Sequence, residues 1–273
     1  MFKKDFLNSI YIILLGVISS YSLPPYNYFI INFVTFSLFF IFLFNKKKES
    51  PQNKYFFKYG WYFGFGYFLF SLYWVSISLT FDQSLKFLIP YVVILFPALL
   101  GIFYGLMTYF FSIFYSRNVI SSFFIFSILF GIIEFIRGSI FTGFPWNLIA
   151  FSFSDSNYFI QILSVIGTYS FNLFCISIFT VPAVFILRNS KKETMVCFLF
   201  VLVSVSFLLF GKIKNSDFNS AETLRNPYTI KAISSNISLD RFYSQRDELK
   251  IINELIDLSA PEKKEPTIFL WPE

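Results

Sequence analysis

The chain closes on Thr267-Ile268-Phe269-Leu270-Trp271-Pro272-Glu273, a short apolar β-type run that delivers a carboxylate to the C-terminal tip of a strand. Open α/β proteins place reactive groups at strand tips, where the sheet opens onto a crevice, and a carboxylate held there can act as a general base. The competing reading of Glu273 is a frayed, solvated carboxylate with a second one beside it. Glu134 and Arg137 lie one helical turn apart in an otherwise apolar run. Ionisable residues in such surroundings pair and line cavities, so the two read equally as a structural ion pair and as a contact for a lipid headgroup or substrate. Phe144-Pro145-Trp146, with Asn147 behind it, reads as an aromatic anchor at a bilayer surface or as the rim of a substrate entrance. Cys175 and Cys197 fall in apolar runs, where a free cysteine behaves as a small hydrophobe. The sequence has no histidine, CxxC pair, P-loop or GxGxxG, so His-based triads are excluded and no metal or cofactor is expected.

These residues sit in a chain that is 56% hydrophobic and 14% charged, against roughly 25% charged in soluble domains. That balance belongs to a polytopic membrane protein. The 43 phenylalanines read as coding bias rather than as an aromatic function. Spans need about 20 apolar residues, and seven are expected, over 6–22, 28–44, 56–80, 86–114, 119–136, 158–187 and 194–210. The fourth and sixth runs are long enough to tilt or to begin as interfacial segments, and Pro90 and Pro97 are placed to kink the fourth. Leu23-Pro24-Pro25 turns the first run into the second, which makes an uncleaved hairpin. Gly60, Gly64 and Gly66 form a small-residue row suited to close helix packing.

Basic residues divide the span ends. Lys3, Lys4, Lys46, Lys47, Lys48, Lys54 and Lys58 flank one set, and Arg117, Arg188, Lys191 and Lys192 join them if the spans alternate. The opposite loops carry chiefly Lys86 and Arg137. The positive-inside rule then makes the N-terminus cytoplasmic, and seven crossings leave everything after residue 211 outside. The net charge of +6 follows from topology and calls for no nucleic-acid partner.

Three regions are expected: a transmembrane helical domain over 1–213, a polar linker over 214–226 and an extramembrane tail over 227–273. In the tail, Tyr228–Ile233 alternates as a strand does. Ser244 to Asp247 resembles a helix N-cap, and Leu249, Ile252, Leu255, Ile256 and Ser259 recur at helical spacing. Pro261 to Pro266 ends that helix before the final strand. One βαβ unit buries too little apolar surface to offset chain entropy, so a larger sheet is expected to continue past Glu273.

Several motifs in order carry a family resemblance: Ser22-Leu23-Pro24-Pro25-Tyr26, Gly64-Phe65-Gly66 with Tyr73-Trp74-Val75, Glu134-Phe135-Ile136-Arg137-Gly138 running into Phe141-Thr142-Gly143-Phe144-Pro145-Trp146-Asn147, Asn236-Ile237, and Trp271-Pro272-Glu273. Together they resemble the apolipoprotein N-acyltransferases of bacterial inner membranes. The resemblance implies an α-helical polytopic membrane bundle of about seven transmembrane helices. The truncated start, one βαβ unit, of a periplasmic α/β nitrilase-like (CN hydrolase) domain would follow it. It also implies a Glu-Lys-Cys triad in which Glu273 holds the general-base position. The cysteine takes an acyl chain from a phospholipid as a thioester and passes it to the α-amine of a diacylglyceryl-cysteine on an apolipoprotein. Substrate contacts are implied at Glu134, Arg137, Phe144, Pro145 and Trp146, and Tyr243 stands where many members carry a functional tryptophan.

In the family the lysine and the cysteine follow the Trp-Pro-Glu motif, and no residue here matches either position. The chain as given is therefore expected to lack a complete triad and to be inactive as a transferase. The alternatives are a non-catalytic remnant or lipid-binding bundle, or one half of a split enzyme whose second polypeptide supplies Lys and Cys. The expected partners are a phospholipid donor, an apolipoprotein acceptor and membrane lipid.

Overall fold

A computed structural model describes residues 2–49, 52–140, 143–220, 228–234, 248–260 and 266–271. Two compact units divide between Asn219 and Ser220. Among the described residues of the first unit, the helices are α1 (Phe2–Ser20), α2 (Ile30–Glu49), α3 (Phe56–Leu72), α4 (Ile89–Phe114), α5 (Val119–Ser139), two single turns α6 (Asn157–Ile160) and α7 (Leu163–Ile166), α8 (Thr168–Ile186) and α9 (Lys191–Ser220). Six segments are long and apolar enough to cross a membrane: Ile30–Glu49, Asn53–Thr80, Gln83–Phe114, Val119–Ser139, Thr168–Ile186 and Lys191–Ser220. The run expected as the first span is helical, but its apolar part, Asp5–Ser20, is shorter. It spans about 24 Å at 1.5 Å per residue, against roughly 30 Å of hydrocarbon.

Two of the long runs are interrupted. The third ends as α-helix at Leu72 and continues as a 3-10 segment, Tyr73–Thr80. The fourth begins as a 3-10 segment, Gln83–Leu88, capped by Asp82, whose side chain accepts from the Ser84 N–H at 2.8 Å. Those Ser84 hydrogen bonds hold the Asp82 carboxyl below its ordinary range. The sixth run is not one span. Gly167, at φ 76°, donates its N–H to the Leu163 carbonyl, closes α7 and lets the chain restart as α8. Pro90 sits in the first turn of α4, where no N–H is needed, and the helix runs on through Pro97.

Helix α3 lies between α1 and α4, α2 packs on α8, and α5 packs on α4 and α8. The glycines of α3 serve two interfaces rather than one row. A Cβ on Gly60 would meet the Tyr104 carbonyl of α4 at 2.0 Å, and one on Gly66 the Ile13 carbonyl of α1 at 2.3 Å. Six residues of helix turn a position to another face. The phenylalanines fill the centre: Phe36, Phe39, Phe40, Phe63, Phe126 and Phe130 are fully buried, with Phe39 and Phe63 stacked at 4.3 Å.

A hydroxyl repairs α8 at Pro182. Ser37 of α2 donates to the Phe179 carbonyl at 3.1 Å and accepts from the Ala183 N–H at 3.2 Å. These are the groups that an unbroken helix would join directly, and a neighbouring side chain is the usual remedy in an apolar medium.

The polar stretch expected as a linker from residue 214 continues α9 as far as Ser220, and 221–227 lie outside the described residues. In the second unit, β1 (Thr229–Ala232) pairs in parallel with β2 (Thr267–Leu270), Thr229 opposite Thr267 and Ala232 opposite Leu270. Helix α10 (Glu248–Ser259) lies between them in the chain. Its helical repeat buries Leu255, and Ser259 accepts from the Trp271 indole at 2.8 Å.

Candidate functional site

Helix α5 ends in an ion pair that builds the loop behind it. Glu134 and Arg137 point inward one turn apart with fully buried side chains. Arg137 donates Nε and Nη2 to the two Glu134 oxygens at 3.2 and 2.7 Å. Its Nη1 donates to the carbonyls of Phe144 and Trp146 at 2.8 and 2.9 Å, and the Phe68 ring covers the guanidinium at 5.2 Å. The planar fork of arginine suits this: one edge grips a carboxylate while another collects backbone carbonyls. Gly143 and Asn147 adopt positive φ, 80° and 57°, which brings the loop back to the helix. Asn147 is tied down twice. Its side chain donates to the Ser71 carbonyl at 3.1 Å, and its own carbonyl accepts from the Tyr67 hydroxyl at 2.9 Å.

The loop forms one wall of a cleft of about 1070 Å³. Trp146 stacks on Trp74 at 5.1 Å and 14°, which joins the α5 loop to the segment following α3. Leu23, Pro24 and Pro25 come from the turn after α1, and Phe151, Thr168 and Tyr169 from the other side. Among the described residues no charged side chain lines the cleft; its polar groups include Ser71, Asn147 and Ser154. The Ser71 hydroxyl is buried and has no hydrogen-bond partner among the described residues. Behind the Pro-Pro turn, Asn32 of α2 fixes the frame. It accepts from Ser19 at 2.6 Å and donates to Ser22 and Ser152 at 2.7 and 3.0 Å, all four buried. Such a fully connected polar cluster holds one arrangement of three chain segments.

Of the residues expected to touch substrate, Pro145 and Trp146 line the cleft. Phe144 lies behind Trp146, its ring between Trp146 at 5.8 Å and Phe96 at 5.1 Å. Glu134 and Arg137 hydrogen-bond to each other, and Arg137 also to the loop carbonyls. Glu273, Tyr243, Phe141, Thr142 and Asn236 lie outside the described residues. Cys175 is fully buried in α8 and Cys197 nearly so in α9, away from the cleft. Ser71, Trp74, Thr168 and Tyr169 were not picked out as site residues. Trp74 lay inside an apparently continuous span; the signal that could have exposed Thr168 and Tyr169 is Gly167 just before them.

Residues 15–181 match the apolipoprotein N-acyltransferase N-terminal domain, a segment that takes in Arg137, the loop it holds and the whole cleft lining. The chain belongs to the apolipoprotein N-acyltransferase family. Among curated relatives of that name, the protein of Brucella melitensis is 25% identical over 269 residues, 94% of this chain and 50% of its own length. Those of Rhizobium etli and Rhizobium leguminosarum are each 28% identical, over 94% and 98% of this chain and 50% and 52% of their own lengths. The chain thus spans about half the length of the curated relatives it matches. With six membrane-capable helices in a family of membrane acyltransferases, it is a multi-pass membrane protein. Among the described residues the cleft lining offers no carboxylate, amine or thiol.

Proposed function

We propose that this chain is the membrane portion and lipid entrance of an apolipoprotein N-acyltransferase of a bacterial inner membrane. Its α1 completes seven crossings, its N-terminus is cytoplasmic and its C-terminal tail is periplasmic. The second unit is the start of a nitrilase-like domain. In the reaction a cysteine thiolate attacks an acyl ester of a phospholipid and the lysophospholipid alkoxide leaves, giving a thioester. The α-amine of a diacylglyceryl-cysteine then attacks the thioester and the thiolate leaves. Glu273 is the general base in this scheme. In this reading neither Cys175 nor Cys197, both buried in helices, supplies the thiol.

One observation carries the reading: the family segment holds a large cleft walled by stacked tryptophans and lined, among the described residues, by no charged side chain. Its volume lies at the top of the range of about 300–1,000 Å³ usual for ligand sites. An acyl chain fits such a surface and a charged headgroup does not.

Photolabelling tests it. The full chain in detergent is irradiated with a phospholipid carrying a diazirine near the end of one acyl chain. Label on peptides around Trp74 and Trp146, lost in Trp74→Ala/Trp146→Ala, is the expected result. Label spread along α9 with none in the cleft would refute the proposal. Hydroxylamine-sensitive acylation of Cys175 or Cys197 would show that these residues do supply a nucleophile.

A further inference from the structure

The other end of the bundle carries a second cavity, of about 360 Å³, lined by Asp5, Lys46, Gln52, Tyr55, Lys58 and Tyr59 among others. It lies where α1 begins, α2 ends and α3 begins. Lys58 is about 20 Å along α3 from Ser71 of the cleft, at 1.5 Å per residue.

Three features mark this cavity, the second of them shared with Arg188 over Phe185 and Lys48 over Phe44. The first is burial: Lys46 and Lys58 are half-buried, whereas Arg117 and Arg188, in connections between helices, and Lys191 and Lys192, at the start of α9, are exposed. The second is how the ammonium groups are held. Lys58 lies over the rings of Tyr55 and Tyr59 at 5.2 and 5.3 Å, and Lys54 over Tyr55 at 5.2 Å. A ring face offsets an ammonium's charge without consuming its N–H donors. Among the described residues Lys46 makes a loose ion pair, 3.9 Å to a largely exposed Glu49. The third is the charge balance. Residues 46–58 hold five lysines against one acid, and Asp5 is the one acid in the lining. Lys47 donates to the Asn53 side chain.

We propose that this cavity binds the phosphate of an anionic phospholipid headgroup, with Lys46 and Lys58 as its cationic ligands. Gln52 and the tyrosine hydroxyls then serve the remaining headgroup oxygens. A lipid is favoured over free phosphate because α1, which carries Asp5, exposes Phe6, Leu7 and Ile10 beside it, an apolar strip on which acyl chains can lie. Basic pockets between helix ends are recurrent headgroup sites. This site is independent of the cleft and of the acyl-transfer reading.

Native mass spectrometry of the full chain in neutral detergent tests it, with phosphatidylglycerol, phosphatidylcholine and inorganic phosphate as probes. A preference for phosphatidylglycerol over phosphatidylcholine is expected, falling roughly fivefold for each lysine removed in Lys46→Gln and Lys58→Gln. Lys46→Arg/Lys58→Arg should keep the preference, and Lys191→Gln/Lys192→Gln should leave it unchanged. An equal loss in the Lys191/Lys192 variant would overturn the proposal, because general surface charge would then explain the binding. Displacement of the lipid by millimolar inorganic phosphate would overturn the assignment to lipid. Equal binding of the two lipids by the unmodified chain would overturn the site altogether.

Discussion

Arg137 is the residue on which the cleft's shape depends, although it lines no part of it. Its four donated hydrogen bonds go to Glu134 and to two carbonyls of the loop that carries Trp146. Removing it strands a buried carboxylate, and breaking a buried pair this way costs about 3–5 kcal/mol. Arg137→Met should therefore lower the thermal unfolding midpoint sharply. Glu134→Leu/Arg137→Met should recover part of that loss, since no lone charge remains. Equal midpoints for the single and double variants would mean that the carbonyl contacts, not the ion pair, carry the effect. Trp146→Ala is a milder change: it removes a stacking contact of about 0.5–1.5 kcal/mol and should reduce photolabelling of the cleft more than it lowers the unfolding midpoint. At this scale the sequence exposed residue types and turn spacing. It left open whether Arg137 meets a ligand or the protein, because that depends on where residues 144–147 return to the helix.

Helix contacts here rely on backbone approach and on bridging hydroxyls. An alanine at Gly60 crowds the Tyr104 carbonyl, and one at Gly66 crowds the Ile13 carbonyl. Each should cost roughly 1–3 kcal/mol, as overpacking does. The two losses should add, because the interfaces are separate; a pronounced shortfall in Gly60→Ala/Gly66→Ala unfolding would show that the faces are coupled. Ser37→Ala leaves the Phe179 carbonyl and the Ala183 N–H without their bridge, at about 1 kcal/mol on the scale of interhelical bonds in membranes. In a Pro182→Ala background the same change should cost less, since the helix can close its own bond. A double-mutant cycle on unfolding midpoints reads this directly, and strict additivity would refute the bridging role. Element positions were largely legible from apolar run length. The division of the sixth run at Gly167 and the 3-10 continuation after Leu72 were not, because hydropathy stays high across both breaks.

Over the whole molecule, the two units differ in how well they stand alone. The first holds a continuous aromatic core. Among the described residues of the second, two strands and one helix leave Ile230, Ile268 and Leu270 about half exposed, too little burial to offset the entropy of ordering the chain. A peptide of residues 228–271 should give a coil-like far-UV spectrum and unprotected amides in hydrogen exchange; a cooperative melt would contradict this. The apolar runs, the uneven distribution of lysines and the strand–helix–strand order are legible along the chain, because each is a pattern set by local periodicity or composition, and the motifs add a resemblance to a family. The stacking of Trp74 on Trp146, the grip of Arg137 on its loop and the shared cavity of Lys46 and Lys58 are not legible there. Those facts rest on contacts between segments far apart in sequence, and such contacts exist only once the helices have packed.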